Sequence, residues 1–97
     1  MAQYKVYRLP DGSLVVDLQS DSLVTTTRLV APLVPRNASA MPLRGAEPVI
    51  DLDGVPHVLY VTLTTAVLES MLHTVAGDIS AEDYAILRAI DMVFTGV

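Results

Sequence analysis

Few side chains in this 97-residue chain stand at spacings that support catalysis. His57 and His73 are its two histidines, each set in an alternating apolar stretch. Neither has a second histidine or a carboxylate at metal-ligand spacing of the His-Glu-x-x-His kind, and a structural or surface role explains both better. Ser20, Asp21 and Ser22 include candidate nucleophiles, but no base stands near them in sequence, and a turn after a strand accounts for all three. Asp51 with Asp53 and Glu82 with Asp83 are the carboxylate pairs that acid–base work would need. The first pair flanks an Asp-Gly hairpin tip, and the second suits the positive end of a helix dipole. The glycines are scattered and form no phosphate-cradling loop. With no cysteine in the chain, disulfides, thiolate chemistry and Cys-ligated zinc are excluded. No catalytic residue, no metal and no cofactor is expected.

Interaction chemistry is better supported. Hydrophobic residues make up 52% of the chain, and the mean hydropathy is +0.47, which suggests surface buried in an oligomer or a complex. Six basic residues against eleven acidic ones give a net charge of −5, the wrong sign for direct nucleic-acid binding. From Glu69 onward there are five acidic residues and only Arg88 on the basic side. The segment Asp91-Met92-Val93-Phe94-Thr95-Gly96-Val97 sets bulky apolar groups beside a glycine. It is buried in the domain, buried in a dimer, or presented to a partner. The chain has neither a signal-peptide pattern nor an apolar run of membrane length, so the expectation is a soluble, cytoplasmic protein with no membrane partner.

The elements that position these residues follow from periodicity. Residues 3–9 and 14–19 alternate as strands around the turn Pro10-Asp11-Gly12-Ser13. Residues 25–33 are rich in β-branched side chains and predict a third strand. Pro32 and Pro35 place its far end at a sheet edge or a bulge. Residues 36–47 read as a loop. Residues 49–52 and 55–63 form a second hairpin around Asp53-Gly54, with Pro56 fitting an edge. Residues 64–69 are ambiguous between a helical turn and other structure, and residues 71–75 predict a strand closed by Gly77. A helix then opens on a Ser80/Asp83 capping box and stops at Gly96. Its apolar arc comprises Ile86, Leu87, Ala89, Ile90, Val93 and Phe94, wide enough for a second packing partner. The order, strands and then one terminal helix, predicts a mainly β fold, a small antiparallel barrel or curled sheet carrying a C-terminal α-helix.

Several ordered segments resemble the CcdB family of bacterial toxins, the toxin half of CcdA–CcdB toxin–antitoxin modules. Lys5-Val6-Tyr7 looks like the family's opening strand, and Val16-Asp17-Leu18-Gln19-Ser20-Asp21 is close to its Val-Asp-Val-Gln-Ser-Asp segment. Arg28-Leu29-Val30-Ala31-Pro32-Leu33 resembles Arg-x-Val-x-Pro-Leu. Pro48-Val49 and Thr64-Thr65 follow in order, and Met92-Val93-Phe94-Thr95-Gly96-Val97 is similar to the closing Leu-Met-Phe-Trp-Gly-Ile. The resemblance implies a single CcdB-like toxin domain over residues 1–97, an SH3-like β-barrel with a C-terminal helix, and a two-fold homodimer. It further implies a non-enzymatic toxin that binds the A subunit of DNA gyrase, traps gyrase on cleaved DNA, and is neutralised by a CcdA-like antitoxin.

Carried over by position, the gyrase-binding tip is Thr95, Gly96 and Val97. Val93 and Gly96 fall at the dimer interface, and Ser22, Leu23, Asp91, Phe94 and Gly96 on the antitoxin-binding surface. Thr95 stands where the family has a tryptophan, and Ser22 where an aliphatic residue is familiar. Truncating an interface tryptophan often costs about 2 kcal/mol or more, roughly thirtyfold in affinity, so fold and dimer are expected to survive while gyrase poisoning weakens. The alternatives are a relative that binds antitoxin without poisoning gyrase and a MazF-like endoribonuclease. The second would need a basic groove, with Arg28 or Arg36 beside an aspartate as its acid–base pair.

Overall fold

The computed structural model describes residues 2–37 and 42–96. Met1, residues 38–41 of the expected loop, and Val97 lie outside the described residues. In chain order the strands are β1 (Lys5–Arg8), β2 (Leu14–Asp17), β3 (Thr27–Pro35), β4 (Val49–Leu52), β5 (Val55–Leu59), β6 (Thr65–Leu68) and β7 (Val75–Asp78), followed by helix α1 (Asp83–Thr95). They pair antiparallel in the order β4-β5-β3-β2-β1-β7, with β6 also beside β3. The fold is the expected mainly β one, a curled antiparallel half-barrel with a C-terminal helix.

The first hairpin forms as predicted, with Val6 opposite Val16 and Tyr7 opposite Val15. Its turn depends on two residues. The Asp11 carboxylate accepts the Ser13 N–H at 2.9 Å and the Ser13 hydroxyl at 2.6 Å, and Gly12 takes φ +90°, a region costly for any residue with a Cβ. β3 is the axis of the sheet. One of its edges pairs with β2 throughout residues 30–33. The other is divided, with residues 27–30 against β6 and residues 33–35 against β5.

Period-2 alternation sends neighbouring residues to opposite faces. Val6, Val16, Ala31, Leu33, Ile50 and Leu59 meet Val61, Ile79, Ile86 and Ala89 in the main core, all at most 3% exposed. Tyr7, Val15 and Val30 form a smaller cluster on the reverse face, backed by Val67 and Leu72.

Several expectations are corrected, and the open reading of residues 64–69 is settled. First, Pro32 lies on the central strand. Its carbonyl accepts the Tyr60 N–H at 2.9 Å, and the N and C=O of a strand residue point the same way. Its missing donor therefore faces the gap where the edge of β3 passes from β6 to β5. Likewise Pro56 is not on an edge. Its carbonyl accepts the Arg36 N–H at 3.0 Å, so its nitrogen points past the end of β3. Second, β5 ends at Leu59, and Val61–Leu63 form a 3-10 turn that sends Val61 under the helix. Third, the ambiguous 64–69 segment holds a strand, because β3 offers it a free edge. Fourth, Glu69–Met71 form a 3-10 turn and the last strand starts at Val75. Gly77 lies within that strand and does not close it, at a position where a Cβ would come within 2.8 Å of Leu52 Cδ1. Fifth, Ser80 is no helix cap. Ser80–Glu82 form a 3-10 turn, and the Asp78 carboxylate accepts the Ser80 N–H at 2.8 Å, which holds its carboxyl below the usual range.

Candidate protein-interaction site

Helix α1 buries Ile86 and Ala89, half-buries Ile90 and Val93 against the core, and leaves the rest of the expected arc in solvent. Leu87 is 53% and Phe94 65% exposed. They lie seven residues apart, so they stack along one stripe about two turns long. At its end Gly96 takes φ +75°, and its N–H donates to the carbonyls of Asp91 and Met92, both at 3.1 Å. This is the left-handed glycine stop that satisfies the last helical carbonyls. The Thr95 hydroxyl donates back to the Asp91 carbonyl at 2.6 Å, so its proton is directed into the helix and away from solvent. Asp91, Phe94, Thr95 and Gly96 are all exposed there. Val97, the remaining member of the expected tip, lies outside the described residues.

Ser22 and Leu23 sit on the loop that leaves β2, and both are exposed. Their support is an ion pair that sequence reasoning missed. Arg28 Nε donates to Asp17 Oδ2 at 2.8 Å, with side-chain exposures of only 8% and 1%. The rest of the guanidinium donates to the carbonyls of Leu23 and Gln19 at 3.3 and 3.0 Å, and a second carboxylate, Asp21, lies 3.5 Å away. The bond to Asp17 and the neighbouring carboxylates push the Arg28 pKa up against the opposing effect of burial. Asp21 in turn accepts the N–H groups of Ala2 and Gln3 at 2.9 and 3.2 Å. Chiefly through the Ala2 bond, its carboxyl is held below the ordinary 3.8. Gln19 closes the base of the loop, accepting the Leu29 N–H at 3.1 Å and donating to Thr25 Oγ1 at 3.0 Å.

The Asp-x-Gln-x-Asp spacing is thus a scaffold for the 18–26 loop. Asp17, placed by alternation on the polar side of β2, is fully buried. The available signal was an arginine in the third strand on the same face as Val30, the residue opposite Asp17, and two positions before it. The loop residues Ser22 and Leu23 and the helix residues Asp91, Phe94 and Gly96 hang from separate elements. Among the described residues no hydrogen bond or ion pair joins the two sets.

The remaining chemical candidates are placed as follows. His57 is buried in β5 with Nδ1 2.8 Å from the Val55 carbonyl. His73 is exposed and lies outside any strand, in the link before β7, which corrects the expected position. No group of three or more His, Cys, Asp or Glu poised to hold a metal ion occurs among the described residues. Arg28 does have an aspartate, as an RNA-cleaving pair requires, but both partners are sealed in the loop base. No helix among the described residues is long and apolar enough to cross a membrane.

Comparison with curated proteins returns no match. The family model described as CcdB protein matches residues 3–96, which takes in the first hairpin, the Asp17–Arg28 scaffold and the helix with its glycine stop. By that match over nearly its whole length, the chain belongs to the CcdB family, the toxin side of toxin–antitoxin modules.

Proposed function

We propose that this protein is a non-enzymatic inhibitor that binds the A subunit of DNA gyrase and traps the gyrase–cleaved DNA complex. Two chains pair with Val93 and Gly96 near the two-fold axis, which sets two Thr95-Gly96-Val97 tips side by side. A CcdA-like antitoxin neutralises the toxin by covering Ser22, Leu23, Asp91, Phe94 and Gly96, and the proposed site of action is the cytoplasm. The observation that carries this reading is the family match ending on an exposed helix tip, where Phe94 stands free beside a glycine stop.

A second reading has its own observation. Thr95 offers no aromatic face for stacking, and its hydroxyl is turned back onto the helix. This favours a relative that binds antitoxin and poisons gyrase weakly or not at all. Supercoiled plasmid incubated with gyrase, ATP and the purified protein separates the two. Linear DNA from the natural chain, increased about thirtyfold in potency by Thr95→Trp, supports the poison. Linear DNA from Thr95→Trp alone supports the weakened relative. No linear DNA from either protein overturns gyrase as the target.

A further inference from the structure

Arg44 and Arg88 line one hollow of about 340 Å³ between the 43–48 turn and the flank of α1, together with Gly45, Pro48, Tyr84 and Met92. The floor of the hollow at Met92 faces away from the stripe, since Met92 and Phe94 project roughly 160° apart around the helix. The turn that presents Arg44 is firmly built. The Glu47 carboxylate is buried and accepts the Leu43 N–H at 2.8 Å and the Thr62 hydroxyl at 2.7 Å. The N–H groups of Ala46 and Glu47 close the turn on the Leu43 carbonyl at 3.1 and 2.8 Å. Gly45 takes φ +83° and lies close over Met92.

The acidic residue nearest to Arg44 in sequence is therefore turned inward and used by the turn itself. Arg88 lies against Tyr84, with its guanidinium 5.8 Å from the ring centroid and Nη1 donating to the Tyr84 hydroxyl at 3.3 Å. Among the described residues, neither Arg44 nor Arg88 has a carboxylate within 4.0 Å. In a chain of net charge −5, two arginines without carboxylate partners on one hollow oppose the overall sign.

We propose that this hollow is a docking site for a polypeptide partner that inserts an acidic side chain between Arg44 and Arg88 and lays an adjacent apolar side chain over Met92 and Pro48. Arginine forks match the two oxygens of a carboxylate. The apolar floor and the volume fit one or two peptide side chains, whereas a free inorganic anion would leave that floor uncovered. None of the residues that line the hollow belongs to the tip or to the Ser22–Leu23 surface, so the proposal stands or falls independently of gyrase binding.

Selection from a random peptide library on the full-length protein, followed by fluorescence titration of the enriched peptides, tests it. The expected winners carry Asp or Glu next to Leu, Met or Phe. Their Kd rises about tenfold or more in Arg44→Gln/Arg88→Gln, equivalent to about 1.4 kcal/mol, and rises similarly when the peptide's own Glu is changed to Gln on the natural protein. Arg36→Gln, on an exposed arginine elsewhere, leaves Kd within about twofold. A thermal melt of each variant checks folding, and the single Arg88→Gln variant and the altered peptide carry the test if the double variant melts early. The proposal is overturned if no peptide is enriched, if the winners lack acidic residues, or if the double variant binds as tightly as the natural chain. Displacement of the winners by millimolar inorganic phosphate would also overturn it, by showing a site for free anions.

Discussion

Replacing Arg28 with methionine tests the claim that the Asp17–Asp21 segment is held by a buried electrostatic scaffold. The change keeps much of the side-chain volume and removes the charge facing Asp17, whose side chain is 1% exposed. Asp17 would keep only the Gln19 N–H, at 3.0 Å. Removing one partner of a buried ion pair typically costs about 3–5 kcal/mol, because the other charge is left uncompensated. Total stability for a domain of this size is about 5–15 kcal/mol. One kcal/mol moves the midpoint by about 4–8 °C, so the melting temperature should fall by at least about 12 °C. Adding Asp17→Leu removes the stranded charge, and the double variant should recover to within about 2 kcal/mol of the natural chain. Thermal and urea melts of the four proteins give the coupling energy, expected to exceed about 2 kcal/mol. Hydrogen exchange at the Leu29 amide, now bonded to Gln19 Oε1, should accelerate in Arg28→Met as the loop base loosens. A single variant within about 1 kcal/mol of the natural protein, or costs that simply add, would refute the scaffold.

Further outcomes follow from other contacts. Gly77→Ala should cost about 1 kcal/mol, since its new methyl meets Leu52 Cδ1 at 2.8 Å, and Leu52→Ala in the same chain should cancel most of that strain in a denaturant melt. Gly96→Ala meets no neighbouring atom but must hold φ +75°, so it should cost about 1 kcal/mol and speed amide exchange in the last turn of α1. Asp21 has a folded-state pKa below its ordinary 3.8. Its contribution is therefore complete above that ordinary value and is lost as pH falls through the depressed folded value. An Asp21→Asn variant should accordingly show a shallower loss of stability between about pH 5 and pH 2, and identical acid slopes for the two proteins would contradict the bonds to Ala2 and Gln3.

Both hairpins were legible from local chemistry. The Asp11-Gly12 and Asp53-Gly54 turns are written in residues that favour tight reversal, and alternation around them marks the strands. The terminal helix and its stop at Gly96 were legible for the same reason. The family resemblance likewise rested on ordered local segments. Residues 64–69 stayed open and the strand at 71–75 was misplaced because the structure of this region is decided by partners far along the chain. β6 exists because part of one edge of β3 is unclaimed, and β7 tolerates glycine because Leu52 fills the space that a side chain would take.

Composition, periodicity and turn residues by themselves determined a mainly β chain with a terminal helix, no evident catalytic set, and an apolar helix end beside a glycine. Those are properties of near neighbours along the chain. Tertiary structure alone decided that Asp17 is buried rather than solvent-facing, that Leu87 and Phe94 are left out of the core, and that Arg44 and Arg88 share a hollow. Each depends on how a curved sheet brings distant backbone together, and residue type along one strand or helix does not encode that distance.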